Sequence, residues 1–353
     1  MPPIIQEVLP SQRLTINRPS PLFELYLRAF KKSLYKLITP TVVLVAGAAI
    51  LSRQIAVHPA LLDFFHLIPY VFLAAALALS WRFNQGRSFF LLCILTLCYW
   101  GLDSIVRSHD ATAIKAVSVY AGVCFLLPVN FAAFSWLKER GVFNKFNIGR
   151  YLVILVQIVI VALVANLSVD SHLQSLFVRF DNSGLLAMHR LPQMAQVLFF
   201  LALMALLAQL FVHRSALGGG AIGALIAMAL ALNYEIGGFE SILYSGIASL
   251  LLLVAVVQDS YILAYHDELT GLPGRRALNE QMMRLGNKYV LAMVDVDHFK
   301  QFNDKYGHDT GDQVLRFVAA KMEAVRGGGK AYRYGGEEFT ILFSGKDVPD
   351  VLD

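Results

Sequence analysis

Carboxylate pairs follow two apolar, strand-like runs near the C-terminal end of this 353-residue sequence. Asp295 and Asp297 come at the end of a nearly continuous apolar run, and side-chain alternation along a strand would place both on one face. Glu337 and Glu338 follow a Gly-Gly pair between two β-forming runs, which predicts a hairpin with both carboxylates at its tip. Hard cations such as Mg²⁺ bind one or two carboxylates together with substrate phosphates. The two pairs therefore indicate metal-assisted phosphate chemistry.

Residues that suit a nucleotide lie between the two carboxylate pairs. Lys300 is available for phosphate oxygens, and Asn303 and Asp312 could read a base edge through amide and carboxylate hydrogen bonds. A helix over 312–323 is predicted to follow, because its apolar residues recur at helical spacing. Each feature alone is weak evidence, but their order and spacing along one chain carry more weight.

Four predicted elements position these residues. A turn marked by Gly271, Pro273 and Gly274 leads into a helix over 275–285, and a strand over 288–296 follows. The strand is expected to be central and buried because its apolar run is nearly continuous. The other two elements are the helix and the hairpin described above. Together they predict an α/β domain, in which ligands bind at the carboxyl end of the strand.

The rest of the sequence has a different composition. Apolar residues make up 57% of the whole chain and charged residues only 16%, whereas soluble proteins carry about 25% charged residues. Residues 1–259 hold 18 Lys plus Arg and 11 Asp plus Glu, and the 94 residues after Asp259 hold 12 and 14. The charge deficit thus belongs to a membrane part, which an ordinary soluble part follows. Basic residues that flank membrane spans account for the positive excess, so we expect no nucleic-acid partner.

Eight apolar segments are long enough to be candidates for membrane spans, which need about 20 residues each. Their predicted bounds are 37–52, 60–81, 88–106, 113–137, 149–167, 194–213, 217–233 and 240–258. An amphipathic helix over 22–38 is expected to lie on the lipid surface before them. With a cytoplasmic N-terminus, thirteen Lys and Arg fall on the cytoplasmic side and five on the other. This bias predicts that both termini are cytoplasmic, and 168–193 is the longest outer loop.

Polar residues inside predicted spans are candidates for function. Asp63 and His66 are three residues apart in the second span and share a helical face. They could form a proton or ligand sensor, or simply join helices by hydrogen bonds. The same two readings apply to four further polar residues, which are Asn130, Gln157, Glu235 and Glu240.

Four segments make up the predicted domain organisation. They are a cytoplasmic N-terminal segment with the amphipathic helix (1–36), an eight-span sensory or oligomerisation domain (37–259), a helical linker (260–266) and the α/β domain (267–353). The linker is so short that a signal from the membrane would pass through one helical connection.

The motifs of the soluble part resemble those of the GGDEF-type diguanylate cyclases of bacteria, in the GGEEF form. The resemblance rests on Asp267-x-Leu-Thr-Gly-Leu-Pro, Val294-Asp-Val-Asp-His-Phe-Lys-x-Phe-Asn-Asp304, Tyr306-Gly-His-Asp-x-Gly-Asp312 and Arg333-Tyr-Gly-Gly-Glu-Glu-Phe339. It implies that two GTP molecules condense to cyclic di-GMP with loss of two pyrophosphates. Because each of two facing domains holds one GTP, it also implies a homodimer or higher homo-oligomer. We therefore expect a multi-pass protein of the bacterial inner membrane, with the lipid bilayer and GTP as partners.

The resemblance also implies a role for individual residues. Metal binding by Mg²⁺ (or Mn²⁺) falls to Asp295, the backbone carbonyl of Val296, and Glu337. Glu337 is also implied as the proton acceptor. The remaining implied roles are phosphate charge compensation for Lys300, a second metal or catalytic role for Glu338, guanine reading for Asn303 and Asp312, and a further substrate contact for His308.

Two departures from the family pattern are visible. Many members carry an Arg-x-x-Asp product-inhibition site, but here Arg326 has Gly329 at its partner position, so the usual feedback inhibition is not expected. Family domains also continue past the signature hairpin, so these residues are expected to form the N-terminal part of the domain only. Two alternatives to the cyclase are a non-catalytic membrane sensor or receptor with a degenerate or incomplete GGDEF domain, and a transporter with an appended domain.

Overall fold

A computed structural model of the protein describes residues 21–54, 58–107, 113–166, 190–213 and 215–352. The first 20 residues and most of the predicted outer loop 168–193 lie outside this described part. The described residues form a helical region followed by an α/β unit.

The helical region contains nine described α-helices. They are α1 (Pro21–Gln54), α2 (Pro59–Phe65), α3 (Leu67–Arg82), α4 (Gly86–Arg107), α5 (Ala113–Trp136), α6 (Ile148–Asn166), α7 (Gln193–His213), α8 (Ala216–Ala231) and α9 (Phe239–Tyr265).

Six stretches of helix are long and apolar enough to cross a membrane. Each coincides with one of the eight predicted spans. The other two predicted spans, 37–52 and 217–233, correspond to the shorter apolar helices Ile38–Gln54 and Ala216–Ala231. Six spans are therefore supported by length and composition, and the count of eight stays a prediction.

Two helices differ in detail from the sequence expectation. The predicted surface helix and first span form one continuous helix, α1. The predicted second span is interrupted at His66, between α2 and α3. Pro69 lies in the first turn of α3, where a missing backbone N–H leaves no helical hydrogen bond unmade. The interruption therefore falls where the sequence favours the start of a helix.

Helix α8 lies at the centre of the helical core, and most of its residues are buried. Its glycines allow the neighbouring helices to approach closely. A Cβ on Gly220 would lie 2.6 Å from the Cβ of Ala255 on α9, and one on Gly223 would lie 2.4 Å from Oγ1 of Thr41 on α1. Helix α6, by contrast, has no buried residue.

Helix α9 runs without interruption from Phe239 to Tyr265 and so includes most of the predicted linker 260–266. Its C-terminal half is held by side-chain bonds. The Asp259 carboxylate accepts hydrogen bonds from the backbone N–H groups of Ala216 (3.0 Å) and Leu217 (3.1 Å) at the start of α8. Gln85 Nε2 donates to Ser260 Oγ over 3.0 Å.

The α/β unit contains a three-stranded sheet with helices on both faces. Its elements are α10 (Arg275–Met283), β1 (Tyr289–Asp295), α11 (Phe299–Tyr306), α12 (His308–Glu323), β2 (Lys330–Gly335), β3 (Glu338–Ser344) and α13 (Pro349–Leu352). The strand order is β1-β3-β2, and both pairs are antiparallel. Phe339 and Ile341 pack with α12 on one face, whereas Tyr332 and Leu342 pack with α10 on the other.

The expectation of a central, buried strand over 288–296 is wrong for the described residues. Strand β1 pairs only with β3 there and lies at the sheet edge, with Tyr289, Leu291 and Met293 exposed on one face. A continuous apolar run does not reveal how many neighbours a strand has. The strand also ends at Asp295, so Asp297 lies in the following turn and the alternation argument does not reach it.

Candidate active site

Asp295 and Glu338 are cross-strand neighbours at the end of the β1–β3 ladder. Directly opposite residues of an antiparallel pair share a face, with Cβ atoms about 5 Å apart. The preceding pair on that face, Met293 and Thr340, is in contact, because Thr340 Oγ1 lies 3.1 Å from Met293 Sδ. The ladder therefore brings together two carboxylates that are 43 positions apart in sequence, and both are exposed.

The signature hairpin turns through two residues, Gly336 and Glu337. The φ angle of Gly336 is +52°, and that of Glu337 is not positive, which is the pattern of a type II′ hairpin turn. Glycine adopts this conformation without a steric penalty. The turn leaves Glu337 half-buried at the tip, next in sequence to Glu338, so the predicted hairpin and its acidic tip are confirmed as structure.

Arg333, on β2, stabilises this turn by hydrogen bonds. Its Nη1 lies 2.7 Å from Asp267 Oδ1, and its Nε and Nη2 donate to the carbonyl of Gly336 over 3.1 and 2.7 Å. Asp267 Oδ1 also accepts from the backbone N–H and the hydroxyl of Thr270. Burial alone would raise the pKa of Asp267, but the hydrogen bonds from Thr270 and Arg333 outweigh it and lower the pKa.

Asp267 and Arg333 were not among the site residues predicted from sequence. Both belong to the motifs quoted above, but nothing local signals that they pair across 66 positions. Both act on the turn, because Arg333 binds the Gly336 carbonyl and Asp267 pairs with Arg333.

Asn303 on α11 and Asp312 on α12 flank a tight corner between the two helices. Gly307 forms the corner with a φ of +85°. A Cβ on Gly311 would lie only 1.8 Å from Asn303 Oδ1, so glycine provides the space for that side chain. Asn303 Oδ1 is buried and has no hydrogen-bond partner in the described structure. A buried acceptor without a donor is costly, so this position suits a ligand that brings an N–H group.

His308 lies at this corner, whereas Lys300 lies at the other end of α11. Lys300 is the second residue of α11 and His308 the first of α12, and both are exposed. Within the described part of the chain, neither forms an ion pair or hydrogen bond with the carboxylates of the hairpin. Their predicted substrate contacts thus depend on a bound ligand.

The carboxylates fit a divalent cation that shares its coordination with a substrate. No described cation pairs with Asp295, Glu337 or Glu338, so their charges are uncompensated. The carbonyl of Val296 accepts one bond from the N–H of Phe299 over 3.3 Å and keeps a second lone pair. No group of three or more His, Cys, Asp or Glu among the described residues could hold an ion alone. Mg²⁺ commonly takes one or two carboxylates and completes its shell with water and phosphate oxygens.

The family comparison identifies this unit. A family model described as diguanylate cyclase, GGDEF domain, matches residues 264–351. Residues 264–351 are a GGDEF domain. The remaining residues, including the whole helical region, lie outside the match.

Three curated relatives match the same part of the chain. Diguanylate cyclase VdcA of Vibrio cholerae is 45% identical over 89 residues, which are 24% of this chain and 26% of that protein. Diguanylate cyclase DgcP of Pseudomonas aeruginosa is 40% identical over 94 residues, covering 24% of this chain and 14% of that protein. The probable diguanylate cyclase DgcI of Escherichia coli is 35% identical over 117 residues, covering 32% and 26%. The chain thus spans at most 26% of the length of these relatives.

The position of a possible inhibition site in the GGDEF domain is sterically closed. Arg326 is exposed, and a Cβ on Gly329 would lie 2.6 Å from Phe343 Cε1 and 2.6 Å from Val325 Cγ1. An aspartate at position 329, which would complete the Arg-x-x-Asp pattern, therefore does not fit in this packing.

The polar pair predicted in the second span is arranged differently from the expectation. His66 Nδ1 lies 3.2 Å from Asp103 Oδ1, not against Asp63. Asp103 also accepts hydrogen bonds from Tyr70 Oη (3.0 Å) and Arg107 Nε (2.9 Å). The break between α2 and α3 separates Asp63 from His66, and α4 supplies the closer carboxylate. The sensor role of Asp63 and His66 stays a prediction, and Asp103 is the carboxylate that His66 contacts.

Proposed function

We propose that this protein is a membrane-bound diguanylate cyclase that condenses two GTP to cyclic di-GMP and two pyrophosphates. The observation that carries the proposal is the cross-strand pair Asp295–Glu338 beside the Glu337 turn, inside a domain of the GGDEF family. Two relatives that match this domain are named diguanylate cyclases, and a third is named a probable diguanylate cyclase. Uncompensated carboxylates at a sheet end are what phosphoryl chemistry with Mg²⁺ requires.

Guanine is favoured by the acceptors at the α11–α12 corner. Asn303 Oδ1 is a buried acceptor that lacks a donor, and the Asp312 carboxylate beside Gly311 is a second acceptor. The Watson–Crick edge of guanine carries two adjacent donors, the N1–H and the 2-amino group. Adenine presents an acceptor at N1 instead, which would meet a carboxylate unfavourably. We therefore propose that Asn303 and Asp312 bind the base of GTP, with His308 as a further contact.

Proton and charge handling fall to residues of the hairpin and α11. In the proposed step, the 3′-oxygen of one GTP forms a bond to the α-phosphorus of the other, while the bond to the departing pyrophosphate breaks. Glu337 accepts the hydroxyl proton, and Lys300 offsets the charge that grows on the phosphate oxygens. The proposed Mg²⁺ or Mn²⁺ ligands are Asp295, Glu337 and the Val296 carbonyl. Glu338 is proposed as a second metal ligand or catalytic residue. The ion supplies charge neutralisation and lowers the pKa of the attacking hydroxyl.

One domain of this kind holds one GTP, so the proposal requires two copies of the chain to face each other. The membrane region is proposed as the input and oligomerisation domain, in the bacterial inner membrane with both termini cytoplasmic. Control of the GGDEF domain by the membrane region is supported by helix α9, which is continuous from the apolar core to the edge of that domain. Reporter fusions within 168–193 and after the last residue would test this topology, and a cytoplasmic signal from the loop would contradict it.

The decisive experiment measures product formation by the protein in membranes supplied with GTP and Mg²⁺. The variants Glu337→Gln and Asp295→Asn should reduce cyclic di-GMP synthesis by about a thousandfold or more, because a proton acceptor and a metal ligand are lost. Glu323→Gln, at the exposed end of α12, is a matched control that should retain activity. Synthesis that survives in Glu337→Gln would contradict the assignment. GTP binding by the unmodified protein without product would favour the non-catalytic receptor.

A further inference from the structure

A cavity of about 320 Å³ lies between helices α4, α5 and α6, outside the GGDEF domain. Its wall is mostly apolar, and none of the described residues that line it is charged. Helix α6 closes one side, although none of the residues of that helix is buried. Representative lining residues are Ile94, Leu97, Val123, Leu126, Ile154 and Val161. The volume lies at the lower end of the range of small-molecule sites, about 300–1,000 Å³.

Two amides form the main polar feature of this cavity. Asn130 Nδ2 donates to Gln157 Oε1 over 2.7 Å, and Gln157 Nε2 donates back to Asn130 Oδ1 over 3.0 Å. Each primary amide has two N–H donors and two lone pairs on oxygen, so this reciprocal pair uses only half of the capacity of each. Both residues line the cavity, and polar groups in apolar surroundings gain from further hydrogen bonds. The amide pair is thus a polar anchor inside an apolar chamber.

We propose that this cavity binds a neutral, lipophilic small molecule with one hydrogen-bonding head group, which enters from the bilayer and binds Asn130 and Gln157 through that head group. Neutrality follows from the lining, because an ionised ligand would be buried without a counter-charge. A plain acyl chain would fill the space but would leave the spare donors and acceptors of the amides unused. The head group therefore distinguishes this ligand class from bulk lipid.

Trp100 is a built-in reporter because it lines the cavity. A brominated probe in contact with an indole quenches its fluorescence. We suggest the full chain in nanodiscs of unbrominated lipid, titrated with ω-bromoundecanamide and, in parallel, with bromododecane, which has no head group. The amide should give saturable quenching that disappears in Trp100→Phe, whereas bromododecane should give only the linear response of partitioning into lipid.

Two sets of variants separate the cavity from the general membrane surface. Ala162→Phe places a bulky ring in the cavity and should abolish saturable quenching. Leu163→Phe is the matched control, because it is the adjacent residue on α6, is 54% exposed and does not line the cavity. Gln157→Leu removes the side-chain amide of the less buried member of the pair. It should weaken bromoundecanamide binding by about tenfold, as expected for one lost hydrogen bond. Asn130→Leu should act in the same direction.

Several outcomes would overturn the proposal. Saturable quenching of Trp100 by bromododecane or by brominated phospholipid, equal to that by the amide, would identify the occupant as a bilayer acyl chain. A purely linear response to ω-bromoundecanamide would mean that no site exists, and unchanged binding in Ala162→Phe would locate it elsewhere. Because the readout is binding, neither the result nor its failure depends on cyclase activity.

Discussion

Arg333 and Asp267 form a 2.7 Å ion pair between the segment that follows helix α9 and the signature turn. On one side, Arg333 holds the carbonyl of Gly336 at the start of the turn. On the other side, the backbone N–H of Arg333 donates to the carbonyl of Pro273. The N–H of the adjacent Gly274 donates to the carbonyl of Tyr265, the last residue of α9. The end of α9 is thus connected to the Glu337 turn by hydrogen bonds through Gly274, Pro273 and Arg333.

Removal of this ion pair should impair catalysis more than substrate binding. We expect Arg333→Gln to lower the rate of cyclic di-GMP synthesis by at least about tenfold, because charge-assisted bonds worth about 1.5–3 kcal/mol each position the turn. GTP affinity should change less, since Asn303 and Asp312 lie on other elements. Arg284→Gln is the matched control, because it breaks an exposed helical ion pair of little energetic value. Equal effects of the two substitutions would contradict the positioning role.

The same pair predicts a defined pH dependence of stability. The pKa of Asp267 is lowered in the folded protein, so its contribution is present above the unfolded pKa of about 3.9 and disappears as the pH falls through the folded value. The difference in thermal midpoint between the native protein and Asp267→Asn should stay constant from neutral pH down to about pH 5, and shrink only in stronger acid. A difference that instead grows as the pH falls from 7 to 5 would show that folding raises the pKa of this carboxyl, because a folded state that binds an extra proton gains stability in acid.

Gly311→Ala should weaken GTP binding. The new Cβ would lie 1.8 Å from Asn303 Oδ1, so the asparagine or the helix must move. We expect a loss of about tenfold in GTP affinity and a cost of about 1–3 kcal/mol in folding free energy, as for other overpacked sites. Gly286→Ala is the control, because a Cβ there meets no atom within 4 Å. Titration of both variants with GTP provides the measurement, and unchanged affinity in Gly311→Ala would refute this account of Asn303.

Gly329→Asp should fail to create a product-inhibition site. Its Cβ would collide with Phe343 and Val325, so the carboxylate cannot be placed beside Arg326 without local repacking. The variant is expected to lose about 1–3 kcal/mol of stability and to gain no affinity for cyclic di-GMP. Calorimetric titration of the native and variant proteins with cyclic di-GMP checks this. Tight binding by the variant alone would show that the packing yields easily.

Local sequence signals predicted the hairpin and most helix bounds, but not the strand order. The Gly-Gly pair specifies the turn at Gly336 because its requirement for positive φ is local. The edge position of β1 depends on pairing with β3, about 50 residues later, which an apolar run does not encode. Helix α12 begins at His308, four residues before the predicted start, because its first turn is polar and shows no periodicity.

The site was predictable as a set of residue types, but not as a set of contacts. Glu337 and Asp295 follow from motifs, whereas the Arg333–Asp267 pair and the close approach of Gly311 to Asn303 arise from tertiary packing. The same reason explains why Asp103, 37 positions away in sequence, was missed as the partner of His66.

Asp103 should prove more important for the helical region than Asp63. Asp103 is 7% exposed and bonds Tyr70, Arg107 and His66, so Asp103→Asn leaves groups on two helices with weaker partners. We expect a loss of about 2–4 kcal/mol, within the range for disrupted buried charge networks. Asp63→Asn, three positions before His66, is the matched control and should change stability by less than about 0.5 kcal/mol. Thermal unfolding of both variants in nanodiscs makes the comparison. A larger effect at Asp63 would restore the pairing first expected from the helical spacing.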